Sequence, residues 1–317
     1  MSASELALRV LNPSSSSSSP PSPPRPAPEK PRRPPKSFYT DTPMTGPPSY
    51  SWKDLRHPML RKATLDLKDI RWLEHLGGGQ DGYCWKVAFG DQGPFVLKMF
   101  WDDERPDVAT YWAPERECQN VAVLQMMEAS LRDHGPVRLY DYTDTRANAI
   151  ENLYAFSEEG RKKPRIPDDM DLTVEQLWMH RTRQCFGWLK LTMDSFGHRK
   201  NRPPVLVWLG LRRPPPQPGR EYFAMVYEYI EEDELDDEGD LGERKEANRR
   251  RISVSMGFLS LIGFEFPYSW FLGNWKNGIL LDLSEIVFPF GYGTRVCNRR
   301  QGNAFGLQQG TVEVHVT

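Results

Sequence analysis

The chain is poor in the residues that build disulfide frameworks and zinc sites. It has six histidines and four cysteines, Cys84, Cys118, Cys185 and Cys297, among 317 residues. No two cysteines form a C-x-x-C pair, and no histidine stands at zinc-ligand spacing from a cysteine. Disulfide-rich secreted scaffolds and zinc modules are therefore excluded. Reduced thiols, as in the cytosol or nucleus, are expected.

Strong charge of one sign and long uninterrupted apolar runs are also missing. The formal net charge is -2, so no overall field attracts nucleic acid or membrane, and neither is expected as a direct partner. The most apolar stretch, residues 253–275, carries Glu265 near its centre and is broken by Pro267. A carboxylate in the middle of a bilayer costs about 2.5–3.5 kcal/mol, which favours a buried helix here instead.

The first fifty residues have the composition of a disordered tail. Residues 14–19 are all serine, and residues 20–35 are rich in proline with scattered arginine and lysine. Such a segment cannot bury enough apolar surface to offset the entropy of ordering. Residues 1–50 are therefore predicted to be disordered, as an extended docking tail, a phosphorylated tail or an inert one, and folded structure is expected from about Leu65.

A glycine-rich turn followed by a lysine-bearing strand is the most informative pattern in the chain. Residues 76–87 contain G-x-G-x-x-G at Gly77, Gly79 and Gly82, and Lys98 follows in the apolar segment 95–100. Such a turn lets backbone N–H groups approach phosphates, and a strand lysine can meet them as a point charge. The alternative is an ordinary hairpin turn. The order of these elements resembles the nucleotide lobe of a protein kinase.

A helix is predicted after the lysine strand. Pro114 suits a first helical position, and an apolar stripe continues to Leu131. Glu117 lies at the edge of this stripe, where a kinase places the glutamate that pairs with its strand lysine. Since a lysine buried in an apolar strand needs a partner, a Lys98–Glu117 pair is predicted. The alternative for Glu117 is a solvated surface carboxylate.

The predicted fold class is α+β, with one twisted antiparallel sheet over residues 65–235 and the 114–132 helix packed on it. Polar insertions at 143–175 and 194–220 are expected to emerge from the edges as partner surfaces. Apolar segments bounded by turn signals predict the strands: residues 70–76, 83–89, 95–100, 137–142, 185–191 and 222–230. The last of these resembles the strand entering a kinase hinge, which makes Glu228 and Ile230 candidate nucleotide contacts.

A short second lobe is predicted over residues 246–293. It has an apolar helix at 252–264 and a type I′ hairpin at Asn277-Gly278. Asp282 closes the following apolar strand, as a metal-binding aspartate does in a kinase, and Asn274 could supply a second ligand. A helix cap for Asp282 and a turn position for Asn274 are the alternatives.

The catalytic base of a kinase is missing. Ser269 occupies the position expected for the catalytic aspartate, and no aspartate or histidine occurs between Asp240 and Asp282. No catalytic residue is therefore assigned, and the pattern predicts a kinase-like protein without phosphotransfer. An active but atypical kinase that uses Glu265 or a water is the alternative.

The ordered set of motifs resembles a fungal protein-kinase-like family, typified by a kinetochore subunit of the Sim-four complex (the Fta-two type). The matching segments span residues 65–293: 76–87, 96–98, 117–118, 152–157, 186–189, 226–230 and 274–284. The resemblance implies a kinase-like fold with a reduced helical second lobe, and residues 294–317 depart from it as an atypical tail. It also implies protein partners, a nuclear (kinetochore) or cytoplasmic location, and ATP with Mg²⁺ as ligands to be tested.

Overall fold

A computed structural model describes most of the chain between residues 37 and 291. The described ranges are 37–105, 111–140, 143, 145–163, 171–173, 182–208, 211–231, 241–266 and 272–291. From Ser37 onward they belong to one compact unit. Residues 1–36 of the predicted tail 1–50, the atypical segment 294–317 and Ser269 lie outside the described residues.

The described elements comprise runs of consecutive strands with helices between them. The strands are β1 Tyr39–Pro43, β2 Leu60–Lys62, β3 Ile70–Gly78, β4 Gly82–Phe89, β5 Gln92–Phe100, β6 Arg138–Tyr140, β7 Asp171–Thr173, β8 Cys185–Leu191, β9 Leu206–Trp208, β10 Leu211–Arg213, β11 Tyr222–Glu228, β12 Trp275–Lys276 and β13 Ile279–Leu280. The helices are α1 Trp52–Arg56, α2 Ala113–His134, α3 Arg146–Tyr154, α4 Glu158–Arg161 and α5 Leu241–Leu261.

A seven-stranded mixed sheet organises the molecule, in the order β1-β2-β8-β11-β5-β4-β3. The five strands β3, β4, β5, β8 and β11 pair antiparallel, as predicted. The pairs β1–β2 and β2–β8 are parallel. The protein is therefore of α+β class, with a mostly antiparallel sheet and few helices.

Each face of the sheet has its own apolar core, because successive strand residues point to opposite sides. Val96 and Phe100 of β5 face α2, whose buried side includes Val121 and Leu124. Leu97 and Met99 point to the other face, together with Trp85 and Phe196. The connection from β8 to β11 covers this second face, so the lysine strand lies in the middle of the molecule.

The folded region starts earlier than predicted. Phe38, Tyr50, Leu55 and Leu60 are all buried, so residues 37–64 are neither a disordered tail nor a linker. Strands β1 and β2 extend the sheet past β8, and the indole Nε1 of Trp188 donates to Thr40 O at 2.8 Å. These elements are only three to five residues long and lie in a proline-rich context, which hides their apolar periodicity.

The prediction that residues 143–175 and 194–220 are loops at the edges of the sheet is wrong for the parts of them that the structure describes. Helices α3 and α4 bury Leu153, and Phe156 between them is fully buried. Asn152 Nδ2 donates to Leu261 O of α5 at 3.1 Å, so this segment belongs to the helical part of the molecule. Helix α5 itself begins at Leu241 instead of residue 252. In the second insertion, Phe196 is fully buried beneath the sheet.

The predicted hairpin at Asn277-Gly278 is confirmed. Strands β12 and β13 pair antiparallel around it, and both turn residues have positive φ, 51° for Asn277 and 76° for Gly278. A type I′ turn requires positive φ at both central residues, which asparagine and glycine tolerate. The hairpin leads directly into Asp282.

Candidate functional site

The glycine-rich turn is a tight hairpin between β3 and β4. Gly79 N donates to Gly82 O at 2.9 Å and closes the turn. A Cβ at Gly82 would lie 2.2 Å from Met99 O, so β5 could not pair with β4 there. Gly77 has a backbone φ of 108°, a value that residues with a side chain rarely adopt. Gly77 and Gly82 are thus needed by the backbone, independently of any ligand.

Lys98 lies at the centre of a buried ion cluster. Its Nζ is 2.6 Å from Glu117 Oε2 and 2.8 Å from Asp282 Oδ1. The side chains of Lys98 and Glu117 are 7% and 0% exposed, whereas that of Asp282 is 27% exposed. The predicted Lys98–Glu117 pair is confirmed, and Asp282 joins it from the far end of the described chain.

The charges of this cluster are set by burial and by mutual attraction. Burial alone would lower the pKa of Lys98, but the carboxylates of Asp282 and Glu117 raise it well above its usual value. Burial raises the pKa of Glu117 to about 7, because Lys98 offsets the desolvation only in part. Burial alone would raise the pKa of Asp282, but attraction and hydrogen bonding to Lys98, together with the hydrogen bonds from Ser284, lower it below its usual value. Lys98 and Asp282 therefore form the charged core of the cluster.

A tyrosine that the sequence did not suggest completes the surroundings of Glu117. Tyr227, fully buried in β11, donates its hydroxyl to Glu117 Oε1. The guanidinium of Arg183 lies 4.5 Å from the centre of the Tyr227 ring. Both oxygens of Glu117 are thus hydrogen-bonded, one to Lys98 and one to Tyr227, and the carboxylate is held in one position.

Asp282 is a helix cap and a partner of Lys98 at the same time. Its Oδ1 accepts from Ser284 N at 3.0 Å, which caps the short 3-10 helix Leu283–Glu285. Ser284 Oγ also lies 2.6 Å from Asp282 Oδ1. The two interpretations of Asp282 that the sequence left open, a cap and a site residue, are therefore compatible in geometry.

Helix α2 binds the segment after Asp282 through one buried asparagine. Asn120 Nδ2 donates to Leu283 O at 2.7 Å and to Ile286 O at 2.6 Å, and its Oδ1 accepts from Phe288 N at 3.1 Å. Asn120 is fully buried. Glu117 and Asn120 are one helical turn apart, so the same face of α2 positions Lys98 and the Asp282 segment together.

The tip of the glycine-rich turn places a carboxylate beside this cluster. Asp81 Oδ2 accepts from the Tyr111 hydroxyl and lies 3.3 Å from Ser284 Oγ. Burial raises the pKa of Asp81, while the Tyr111 hydrogen bond and Lys98 lower it in part. The only sequence signal for Asp81 is a charged residue inside a glycine-rich turn, and Tyr111 gives none.

The two candidate hinge residues are held by the protein itself. Glu228 N donates to Gln184 O at 3.0 Å, and its Oε1 accepts from Gln184 N at 2.7 Å. The Glu228 carbonyl faces Arg183 Nη2 at 3.5 Å, and Arg183 Nη1 donates to Leu281 O at 2.9 Å. Ile230 is buried. The hinge-like strand end is thus connected by Arg183 to the residue before Asp282.

The predicted metal pair is only partly brought together. Leu281 N donates to Asn274 O at 2.7 Å, which places the Asn274 backbone beside the residue before Asp282. Within the described ranges, no group of three or more His, Cys, Asp or Glu side chains is arranged to hold a metal ion. The position of the expected base, Ser269, lies outside the described residues.

The described helices also bear on the membrane question. Across the described residues, none of the helices is both long and apolar enough to cross a bilayer.

Comparison with known proteins does not identify a family: no protein-family model matches the chain, and no curated protein matches it.

Proposed function

We propose that this chain is a kinase-like protein without phosphotransfer activity that acts as a protein-interaction subunit. The observation that carries the proposal is the ion pair between Lys98 Nζ and Asp282 Oδ1, which are 2.8 Å apart. Phosphoryl transfer needs the lysine on the nucleotide phosphates and the aspartate on a metal ion. Here Lys98 and Asp282 bind each other. The same Asp282 oxygen also accepts hydrogen bonds from the backbone N and the hydroxyl of Ser284.

The missing base supports the same proposal. No aspartate or histidine occurs between Asp240 and Asp282, so the residue that would orient a nucleophile is absent from the expected segment. Without a base, the nucleophile is not oriented, and with Lys98 paired to Asp282, the phosphate charge is not neutralised. Orientation and charge neutralisation are most of what a kinase contributes to the reaction.

A protein partner is supported by exposed apolar side chains and by an edge strand. Leu73 of β3 is 50% exposed and Val207 of β9 is 64% exposed. Strand β3 stands last in the sheet order, and an edge strand can accept a further strand from another chain. The kinetochore role and the nuclear location follow from the family resemblance alone, with a cytoplasmic scaffold as the other outcome.

One observation favours the alternative, an atypical ATP-dependent kinase with a divergent site. The Lys98–Glu117 pair is formed at 2.6 Å, and active kinases need this pair in place. ATP and Mg²⁺ would then be its ligands, with Gly77, Gly79 and Gly82 at the phosphates.

A radiolabelled-ATP assay of the purified full chain with Mg²⁺ separates the two proposals. We expect no transfer to the chain itself or to general protein substrates. Transfer that is lost in Lys98→Met and kept in the surface variant Lys190→Met would overturn the scaffold proposal. Imaging of the tagged protein in dividing cells tests the location: centromeric foci support the kinetochore role, and a diffuse signal at every stage excludes it.

A further inference from the structure

The side chain of Asp81 attaches the tip of the glycine-rich turn, residues 79–82, to its surroundings. The Asp81 carboxylate accepts from the Tyr111 hydroxyl, and its Oδ2 lies 3.3 Å from Ser284 Oγ. Ser284 Oγ is in turn 2.6 Å from Asp282 Oδ1, the partner of Lys98. The one proton of this hydroxyl serves a single carboxylate at a time, and Asp282 is the closer acceptor, so the donor that holds Asp81 is the Tyr111 hydroxyl.

The same tip is also held from its backbone side. Trp101 donates twice, from its backbone N to Asp81 O and from its indole Nε1 to Gly79 O, each at 3.0 Å. Arg213 of β10 donates to Gln80 O from Nη2 at 2.8 Å and from Nε at 3.1 Å. All three carbonyls from Gly79 to Asp81 therefore accept hydrogen bonds, and the tip has a defined position.

The anchor of Arg213 is itself part of the fold. Arg213 Nη1 lies 2.8 Å from Asp102 Oδ1, and its side chain is only 14% exposed. Strand β10 pairs with β9, where Leu206 lies within 3.3 Å of a Cβ built at Gly78. The β9–β10 hairpin thus packs against the glycine-rich turn and keeps Arg213 on its tip.

The charge of Asp81 opposes the ligand that a glycine-rich turn usually serves. Phosphate groups carry negative charge and bind where N–H groups and cations converge. Asp81 places a carboxylate near Asp282, where it repels an incoming phosphate. The cations nearby, Lys98 and Arg116, face Asp282 and the Ser284 carbonyl, at 2.8 and 3.5 Å.

We propose that Asp81, held by the Tyr111 hydroxyl next to Ser284, is a latch that keeps the tip, residues 79–82, beside the Lys98–Asp282 pair and excludes nucleoside polyphosphates from it. This inference rests on the proposed function, since it gives a structural reason why a kinase-like chain would not take up nucleotide. When the Asp81 carboxylate is removed, Trp101 and Arg213 still hold the backbone of the tip, but the negative charge and its hydrogen bond to Tyr111 are lost. The ligand class then admitted is a phosphate chain with Mg²⁺.

Calorimetric titration of the full chain with Mg²⁺–ATP, and separately with inorganic tripolyphosphate, tests the latch. We expect Asp81→Ala to bind both probes at least tenfold more tightly than the unmodified chain. The matched control is Asp91→Ala, which removes the same charge from the exposed turn between β4 and β5 and should leave binding unchanged. A gain with ATP but none with tripolyphosphate would overturn the inference, because the latch acts on the phosphates.

A second variant covers the case in which Asp81→Ala fails to fold. Tyr111→Phe keeps the carboxylate and removes the hydroxyl that donates to it. We expect faster hydrogen exchange at the amides of residues 80–82 and a smaller gain in tripolyphosphate affinity. Unchanged exchange at these amides would mean that Tyr111 does not hold the tip, and the latch would be wrong.

The outcomes separate the latch from the proposed function. Equal affinity of the unmodified chain and Asp81→Ala, whether strong or undetectable, overturns the latch and leaves the scaffold proposal standing. Lys98-dependent phosphotransfer by the unmodified chain overturns the scaffold proposal without reference to Asp81. A gain in binding confined to Asp81→Ala, without phosphotransfer, supports both.

Discussion

At the scale of single residues, the Lys98 ammonium balances two carboxylates that are largely removed from water. Lys98→Met would leave Glu117 and Asp282 facing each other without a cation. Removing one partner of a buried ion pair costs about 3–5 kcal/mol of unfolding free energy. We expect a loss of this size in urea denaturation.

The control for this prediction is Lys190→Met in the same sheet. Lys190 pairs with Glu221 at 2.6 Å, but its side chain is 43% exposed. Exposed pairs contribute about 0.2–1 kcal/mol, so this variant should be nearly neutral. Equal losses in the two variants would show that the Lys98 cluster does not stabilise the fold.

Glu117 should make stability depend on pH between its unfolded and folded pKa values. The ordinary pKa is 4.5, and burial raises it to about 7 in the folded protein. Between these values the native state holds the proton more tightly than the unfolded chain. Raising the pH therefore lowers the unfolding free energy, and this contribution is lost as the pH passes the folded pKa.

Glu117→Gln tests this assignment because it keeps the shape and cannot titrate. Urea unfolding at about pH 5, 6 and 7 should show a falling stability for the unmodified chain and a flatter profile for the variant. The same slope in both proteins would assign the titration to another group.

At the scale of elements, Asn120 joins α2 to the segment after Asp282. Asn120→Ala would leave Leu283 O, Ile286 O and Phe288 N without their partner, and an unsatisfied buried group costs about 1–3 kcal/mol. We expect a loss at least in this range and faster hydrogen exchange over residues 283–288.

Arg132→Ala on the same helix is the matched control, because its side chain is 59% exposed. It should change neither the exchange nor the stability by more than about 0.5 kcal/mol. If Asn120→Ala behaves like this control, α2 does not position the Asp282 segment.

At the scale of the whole molecule, the true start of the folded unit decides which fragment folds. A fragment that begins at Ser37 keeps β1, α1 and β2 and should unfold cooperatively. A fragment that begins at Leu65, the predicted boundary, loses Leu55 and Leu60, which are both fully buried. We expect it to be insoluble or to lack a cooperative thermal transition, because the core loses several large side chains at once. Cooperative unfolding of both fragments with the same midpoint would contradict this.

The sequence by itself determined the features that depend on neighbouring residues. Short apolar segments bounded by turn signals were enough for β4, β5, β8 and β11, and the apolar stripe after Pro114 was enough for the helix α2. The dipeptide Asn277-Gly278 was enough to predict the type I′ turn, because asparagine and glycine both tolerate the positive φ that this turn requires. The Lys98–Glu117 pair followed from the order of strand and helix, 19 residues apart.

The tertiary structure alone decided which distant polar groups meet. Lys98 and Asp282 are 184 residues apart, Asp81 and Ser284 are 203 apart, and Asn120 binds Ile286 over 166 residues. No local period records such pairs, because they depend on how the sheet, α2 and the last described segment approach one another. The buried start at β1 and β2 was missed for the same reason. Short strands become stable only when a neighbouring strand supplies their hydrogen bonds and apolar cover.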